Sequence, residues 1–459
     1  MTELNFVSSI ASAGSKPVDS ALADLVSGMY RNLLEKRAKN TELQTYYDQK
    51  VLLKDLKISL PPQLRHLESV MGWPGKVVDV LADRVNFEGF AIDGDDDLGL
   101  NRLAQQNNMP QEFSQVVTSA LIQSCAFMSV DVGDTSAGEP DVVLMPRSAR
   151  NATGIYDRRT RSLSAGMTVL SNNGDGEPTG FAVYLPDETI TIAVKGGGRA
   201  VVDRVPNPTG RVLMDVLPID ANLERPFGRS RITPAVRTYT DAALRTIVRS
   251  EIGAEFFAAP QRYGLGIDPD AVGDKWSAVM SRMIVASRDE DGELPQLGQF
   301  PQMSMQPHTD QLRQWASLLA GESSIPMDEL GFPSDNPASD AAIQSQRDPL
   351  RLRATRVVRS GEAMLRRLAV TALMLRGDIS SPEQAPQIHP LFAPVVHTTA
   401  AAAADALVKQ AQVVPWIAET DVVLEKLGYS RSEIERMRAD QRRAEGGSLV
   451  DRILTGREQ

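Results

Sequence analysis

Between Ala341 and Gly377 the chain sets Arg347, Arg351, Arg353, Arg356, Arg359, Arg366, Arg367 and Arg376 against only Asp348 and Glu362. A guanidinium stays charged and presents a planar fork of donors that fits carboxylates and phosphates, so such a run holds anions without catalysing anything. A second set, Arg237, Asp241, Arg245 and Arg249, recurs every four residues and forms one charged stripe on a helix. An arginine-rich face is most often plain solvated surface. This one shares its helix with an apolar seam, Leu350, Ala354, Val357, Gly361, Met364, Leu368, Thr371 and Leu375, and follows the polar stretch IPMDELGFPSDNPASD. That setting raises the case for contact with another subunit or with DNA.

Catalytic chemistry finds little to stand on. His66, His308, His389 and His397 are scattered, with no HExxH or i,i+4 pair to grip a metal. DGDDD at 93–97 begins like a calcium loop, but Leu98 stands where glycine is needed and Ala104 where the bidentate glutamate belongs. KGGGRA at 195–200 lacks the spacing and the Lys-Ser/Thr ending of a phosphate loop. GLGIDPDAVG at 264–273 does not match G-x-G-x-x-G, and no GxSxG occurs. Cys125 falls on the apolar face of an expected helix and reads as a buried structural thiol. No enzyme, cofactor or metal site is expected.

Composition sets the frame for these residues. The chain has 459 residues, a formal charge of −10 and 42% hydrophobic residues, with a mean hydropathy of −0.22. Length alone implies several domains. No run approaches the roughly 18–20 apolar residues of a membrane helix, so no membrane partner is expected. MTELNFVSSIASAGSKPVDS has no basic segment leading into an apolar core, so no secretory signal is expected. A single cysteine excludes an internal disulfide and fits a reducing cytosol. Net acidity argues against a generic nucleic-acid binder, yet it suits a surface past which DNA must slide.

The elements follow from periodicity. Residues 18–36 and 73–85 read as helices, and a third, PQEFSQVVTSALIQSCAF, starts at Pro110. From about Met128, short β-branched runs alternate with Gly, Asn and Asp, which is antiparallel-sheet chemistry. Thr233-Pro234 caps a helix of about 25 residues, a rod of roughly 37 Å. A helix opening at Thr309-Asp310 follows, then one starting near Ser339 or Asp340 that Pro349 should end or kink near Asp348. The Gly361 notch would let another backbone come close. The fold class is α+β.

The order of five motifs carries a resemblance over roughly residues 20–380. They are LPPQLRHLESVMGWPGKVVDVLADRVNFEGF, VVLMPRSARNATGIYDRRTR, NPTGRVLMDVLP leading to RPFGRSRITPAV, AEFFAAPQRYGLG, and LLAGESSIPMDELGFPSDNPASDAAIQ. In this order they resemble the portal proteins of tailed bacteriophages, in the siphovirus branch common among actinobacterial phages. The resemblance implies an α/β wing at 1–231, stem helices at 232–258 and 308–323, and a small α/β clip at 259–307. It implies a tunnel loop and kinked long helix at 324–377 and a helical crown at 378–459.

By that resemblance Asp328, Glu329, Ser334, Asp335, Asn336 and Ser339 would line the DNA channel. Arg237, Arg245 and Arg249 would ring the stem. Arg347, Arg351 and Arg353 would face acidic groups of a neighbouring copy or the DNA. The implied function is a ring, usually a dodecamer, at one capsid vertex of the virion, assembled in the host cytoplasm. Its implied partners are double-stranded DNA, the large terminase, the major capsid and scaffolding proteins, and a head-completion adaptor. The competing reading is a DNA-processing enzyme or an accessory subunit of the packaging machinery. Deleting residues 333–339 is expected to leave ring assembly intact and to impair DNA filling, read by comparing rings and packaged DNA in the same particles.

Overall fold

The computed structural model describes residues 16–17, 20–50, 70–92, 97–195, 198–258, 262–265, 296–299, 304–332, 340–395, 400–429, 433–434 and 436–444. Of the sequence expectations, Ser334, Asp335, Asn336, Ser339 and most of the 259–307 stretch lie outside the described residues. The chain divides into two units, Met1–Ala393 and Pro394–Gln459.

The first unit begins with helix α1 (Ser20–Tyr47), which buries Leu22, Val26, Met29, Leu33 and Leu43. This stripe lies on an antiparallel sheet ordered β1-β9-β8-β7-β6-β5. Its strands are β1 (Lys16–Pro17), β5 (Ala152–Asp157), β6 (Ser162–Asn172), β7 (Pro178–Tyr184), β8 (Glu188–Lys195) and β9 (Gly198–Pro206). Met167, Phe181, Val183, Ile190 and Ile192 meet the helix from the sheet side, and Tyr30 stands edge-on to Phe181 at 5.5 Å. The helix runs past the expected 18–36 because its buried stripe continues through a polar residue. Asn40 is buried and donates to the Ala149 carbonyl at 3.1 Å, so hydrophobic periodicity could not show that last stretch.

A second layer holds helices α2 (Trp73–Ala82), α3 (Leu100–Gln106) and α4 (Met109–Gln123). Strands β10 (Met214–Pro218), β3 (Cys125–Val132) and β4 (Val142–Ser148) form a sheet in that order. Cys125 is therefore not on a helix. Ser124, at φ +81°, breaks the chain, and Cys125 opens β3 opposite Pro218. The apolar run around Cys125 suits either element, and the strand wins because both faces of β3 are covered. Burial was expected for this thiol, and it pushes the Cys125 pKa up to about 12.

Helices α5 (Pro234–Ala258), α6 (Gln306–Ser323) and α7 (Asp340–Arg376) follow, with β11 (Arg262–Leu265) and β12 (Gln296–Gln299) paired antiparallel between α5 and α6. Pro349 neither ends α7 nor divides it. Residues 344–349 are all exposed, so water can take the carbonyl that proline's missing N–H leaves unbonded. The Gly361 notch receives two rings of the same chain rather than a second backbone. A Cβ there would stand 2.9 Å from Phe113 Cζ and 3.2 Å from Phe392 Cζ. Phe87, Phe113 and Phe392 meet pairwise at 5.8–6.0 Å. Phe392 comes from β13 (Ile388–Phe392), which pairs with β2 (Phe87–Ile92). That strand lies in the stretch expected as crown yet belongs to the first unit.

The second unit holds α8 (Ala400–Val413) and α9 (Asp421–Lys426) joined by a short 3-10 turn. Among its described residues the buried hydrophobics are Leu407 and Ile434, while Val408, Val413, Trp416, Val422 and Tyr429 are exposed. Gly361→Leu should overpack the phenylalanine cluster and destabilise the first unit by about 1–3 kcal/mol, read as a lower urea midpoint with an unchanged slope.

Candidate functional site

Helices α5 and α6 form an antiparallel hairpin whose base is tightly made. Thr233 caps α5, its hydroxyl accepting from the Val236 amide at 3.3 Å and donating to Glu322 near the end of α6 at 3.2 Å. Further along, Trp315 stacks on Tyr239 at 6.3 Å and donates from Nε1 to Thr246 Oγ1 at 3.3 Å. Val236, Ala243, Leu244 and Val248 of α5 and Ala316 and Leu319 of α6 are buried. The far half differs. From Arg249 to Ala254 and from Gln306 to Gln314 no described residue is buried.

Arg231 anchors the base, and sequence reasoning passed over it. Its backbone N–H donates to the Leu121 carbonyl at 2.8 Å and its guanidinium to the Ser323 carbonyl at 2.5 Å. A cation at the C-terminal carbonyls of α6 complements the helix dipole. The neighbouring Ser230 hydroxyl donates to Ile122 at the end of α4 at 2.6 Å. Burial, and next the charge of Arg353, lowers the Arg231 pKa to about 10. The sequence signal was a basic residue just before a capped helix, which is too common to single out.

The stem arginines divide. Arg237 pairs with Glu42 of α1 at 2.6 Å and lies over the Tyr46 ring, 5.8 Å from its centroid. Tyr46 in turn donates to Asp241 at 3.1 Å, and burial together with that carboxylate raises the Tyr46 pKa to about 12. Arg245 is half-buried, and its charge acts on Asp241. Arg249 is exposed on the uncovered half of the hairpin.

The loop residues that fall within the described chain sit on its near flank. Asp328 and Glu329 occupy a 3-10 turn, Met327–Leu330, closed by Gly331 at φ +88°. Glu329 pairs with Arg84 after α2 at 3.5 Å. Asp328 pairs with Arg347 at 3.7 Å. Residues on either side of 333–339 are thus drawn together, although an exposed pair of this kind contributes only about 0–1 kcal/mol. Arg351 pairs locally with Asp348 at 2.9 Å.

Arg353 reaches further, pairing with Asp220 at 2.9 Å. Deeper along α7, Arg367 holds Asp215 through two bonds of 2.5 and 3.1 Å. Asp215 is 5% exposed, and burial raises its pKa while the Arg367 charge opposes that rise. As α7 advances from Arg353 to Arg367, its partners step back from Asp220, two residues past β10, to Asp215 within it, so helix and strand run antiparallel. Among the described residues no group of three or more His, Cys, Asp and Glu side chains could hold a metal ion, and no described helix is long and apolar enough to cross a membrane.

An α+β base bearing a helical hairpin, with a 37-residue helix strapped across it, is the layout expected of a phage portal protein. Residues 29–447 match the family described as “Phage portal protein, SPP1 Gp6-like”, and the chain belongs to that family. It is 29% identical to a portal protein of Mycobacterium phage L5 over 323 residues, covering 67% of this chain and 65% of the relative. It is 28% identical to a portal protein of Mycobacterium phage D29 over 419 residues, covering 86% and 83%. A solved chain described as “Neck of native GTA particle computed with C12 symmetry” aligns at a TM-score of 0.42 and 14% identity, covering 80% of this chain and 89% of that one.

Replacing Arg367 with Met should cost about 3–5 kcal/mol near neutral pH, because it strands a buried carboxylate. Without Arg367 the already raised Asp215 pKa climbs further. A raised folded-state pKa gives stability that is present at low pH and lost as pH rises through it. The deficit against the unaltered protein should therefore shrink on acidification and widen toward neutral pH, read from denaturation midpoints across that range.

Proposed function

We propose that the chain assembles head to tail into a closed ring at one capsid vertex and forms the channel through which DNA enters and leaves the virion. The observation that carries this reading, beside the family, is the uncovered far half of the α5–α6 hairpin. Among its described residues α5 buries nothing beyond Val248, as expected of a rod that neighbouring copies cover along its length. The second unit points the same way, since it buries two described hydrophobics and exposes Trp416 and four other large apolar side chains. Units that small do not stand on so little core.

In this reading the work is mechanical and electrostatic. Double-stranded DNA passes the loop at 333–339, with Asp328 and Arg347 at its base. The large terminase, the capsid and scaffolding proteins, and a head-completion adaptor dock on the ring at different stages. No turnover and no cofactor are involved, and assembly precedes incorporation into the virion, in the host cytoplasm. No specific feature of the described residues favours the alternative of a DNA-processing enzyme.

Negative-stain electron microscopy of the purified chain should show rings of about twelve-fold symmetry around a central hole. Compact single particles, persisting when capsid and scaffolding proteins are added, would remove the proposal. Nuclease and ATPase assays on the same preparation should show no activity, and activity abolished by changing one carboxylate would favour the enzyme.

A further inference from the structure

The loop after β10 and the outer face of α7 enclose an open cleft of about 640 Å³ lined by Arg225, Arg229, Arg353, Arg356 and Arg359. Asp220 is its single carboxylate. It pairs with Arg353 at 2.9 Å and with Arg229 at 3.6 Å. Among the described residues no ion pair engages Arg225, Arg356 or Arg359, and all three are exposed. Five guanidiniums around one carboxylate, in a chain of net charge −10, are a local concentration of like charge that composition does not require.

The loop that carries Arg225 and Arg229 is fixed by its own bonds. The Arg229 amide donates to the Ile219 carbonyl at 2.8 Å, and Asn222 accepts from the amides of Glu224 and Arg225. Gly228, at φ +72°, passes so close to Ile219 that a Cβ would stand 1.9 Å from its carbonyl oxygen. The cleft is therefore built before anything enters it.

The complementary surface lies at the other end of the same sheet. Register pairs Pro218 with Cys125 and Met214 with Ser129, so the cleft adjoins the start of β3 and the β3–β4 turn lies beyond its end. Eight residues of strand separate them, roughly 26 Å at 3.3 Å per residue. The turn exposes Asp134, Glu139 and Asp141, and no Lys or Arg occurs in the sequence between Arg102 and Arg147. Its shape is also fixed, since Asp134 accepts from the amides of Ser136 and Ala137 and donates its own amide to Glu139.

We infer that the arginine cleft of one copy receives the acidic β3–β4 turn of the next. The inference rests on the ring reading and adds to it the surfaces that meet. A head-to-tail ring needs two different, mutually complementary patches on separated faces of each copy. The two ends of this sheet carry such patches, opposite in charge and rigidly connected. That pairing favours a second copy over DNA phosphates as the occupant of the cleft.

The test uses two full-length variants, Arg225→Glu/Arg356→Glu/Arg359→Glu, which turns the cleft from net positive to net negative, and Glu139→Lys/Asp141→Lys, with ring formation read by light-scattering mass and electron microscopy. Neither variant alone should form rings. An equimolar mixture should form rings of alternating copies, since each reversed patch then meets its opposite, and a single chain carrying all five changes should also recover rings. Recovery shows that both variants fold. Rings from each variant alone would overturn the inference and leave the ring reading standing. If such rings then lost DNA retention only for the cleft variant, the cleft would instead be a phosphate site. Failure of both the mixture and the fivefold variant would overturn it as well. Absence of rings from the unaltered chain, with capsid and scaffolding proteins present, would overturn the ring reading together with the inference.

Discussion

A carboxylate buried on the edge strand of a sheet has to be answered, and the position of α7 follows from how this chain answers it. Asp215 stands on β10 almost out of reach of water, where an unpaired charge would cost several kcal/mol. Arg367 supplies both bonds, and Asp220, two residues past the end of the strand, takes Arg353. With two points fixed, the helix lies along β10. Its Gly361 then faces the phenylalanine rings, Arg347 comes beside Asp328, and Arg356 and Arg359 turn outward into the cleft.

The hairpin depends on a comparable anchor. Arg231 and Ser230 gather the ends of α4 and α6 at the start of α5, so the two stem-like helices leave the base in a set direction. Beyond Val248 that local support stops. Among the described residues the hairpin therefore divides into a half packed at its base and an outer half in which nothing is buried.

Sequence showed those features whose causes are local. Thr233-Pro234 marked a helix start because capping is a matter of four residues, and the α5 bounds follow. Alternating β-branched runs marked the sheet. The failures share another cause. Cys125 was placed on a helix because a short apolar run fits both periods and only the covering layers decide. Asn40 hid the last turns of α1 because its partner, Ala149, is 109 residues away. The arginines of α7 were visible as a basic run, but that Arg353 and Arg367 are spent within the chain, while Arg356 and Arg359 form no ion pair among the described residues, depends on carboxylates more than 130 residues earlier. Gly361 looked like a seat for a second backbone because a missing side chain does not say what fills the gap.

The spacing of the two α7 clamps has a mechanical consequence. Sliding the helix one turn toward its start would offer Asp220 a replacement, since Arg356 stands three residues after Arg353. The same slide would bring Val370 or Thr371 to Asp215, leaving it without a cation. A slide the other way offers Ala363 or Met364 there and fares no better. The clamps work like the two scales of a vernier, which coincide at one setting only, so a push along the helix axis is passed to the whole sheet instead of being absorbed as slip.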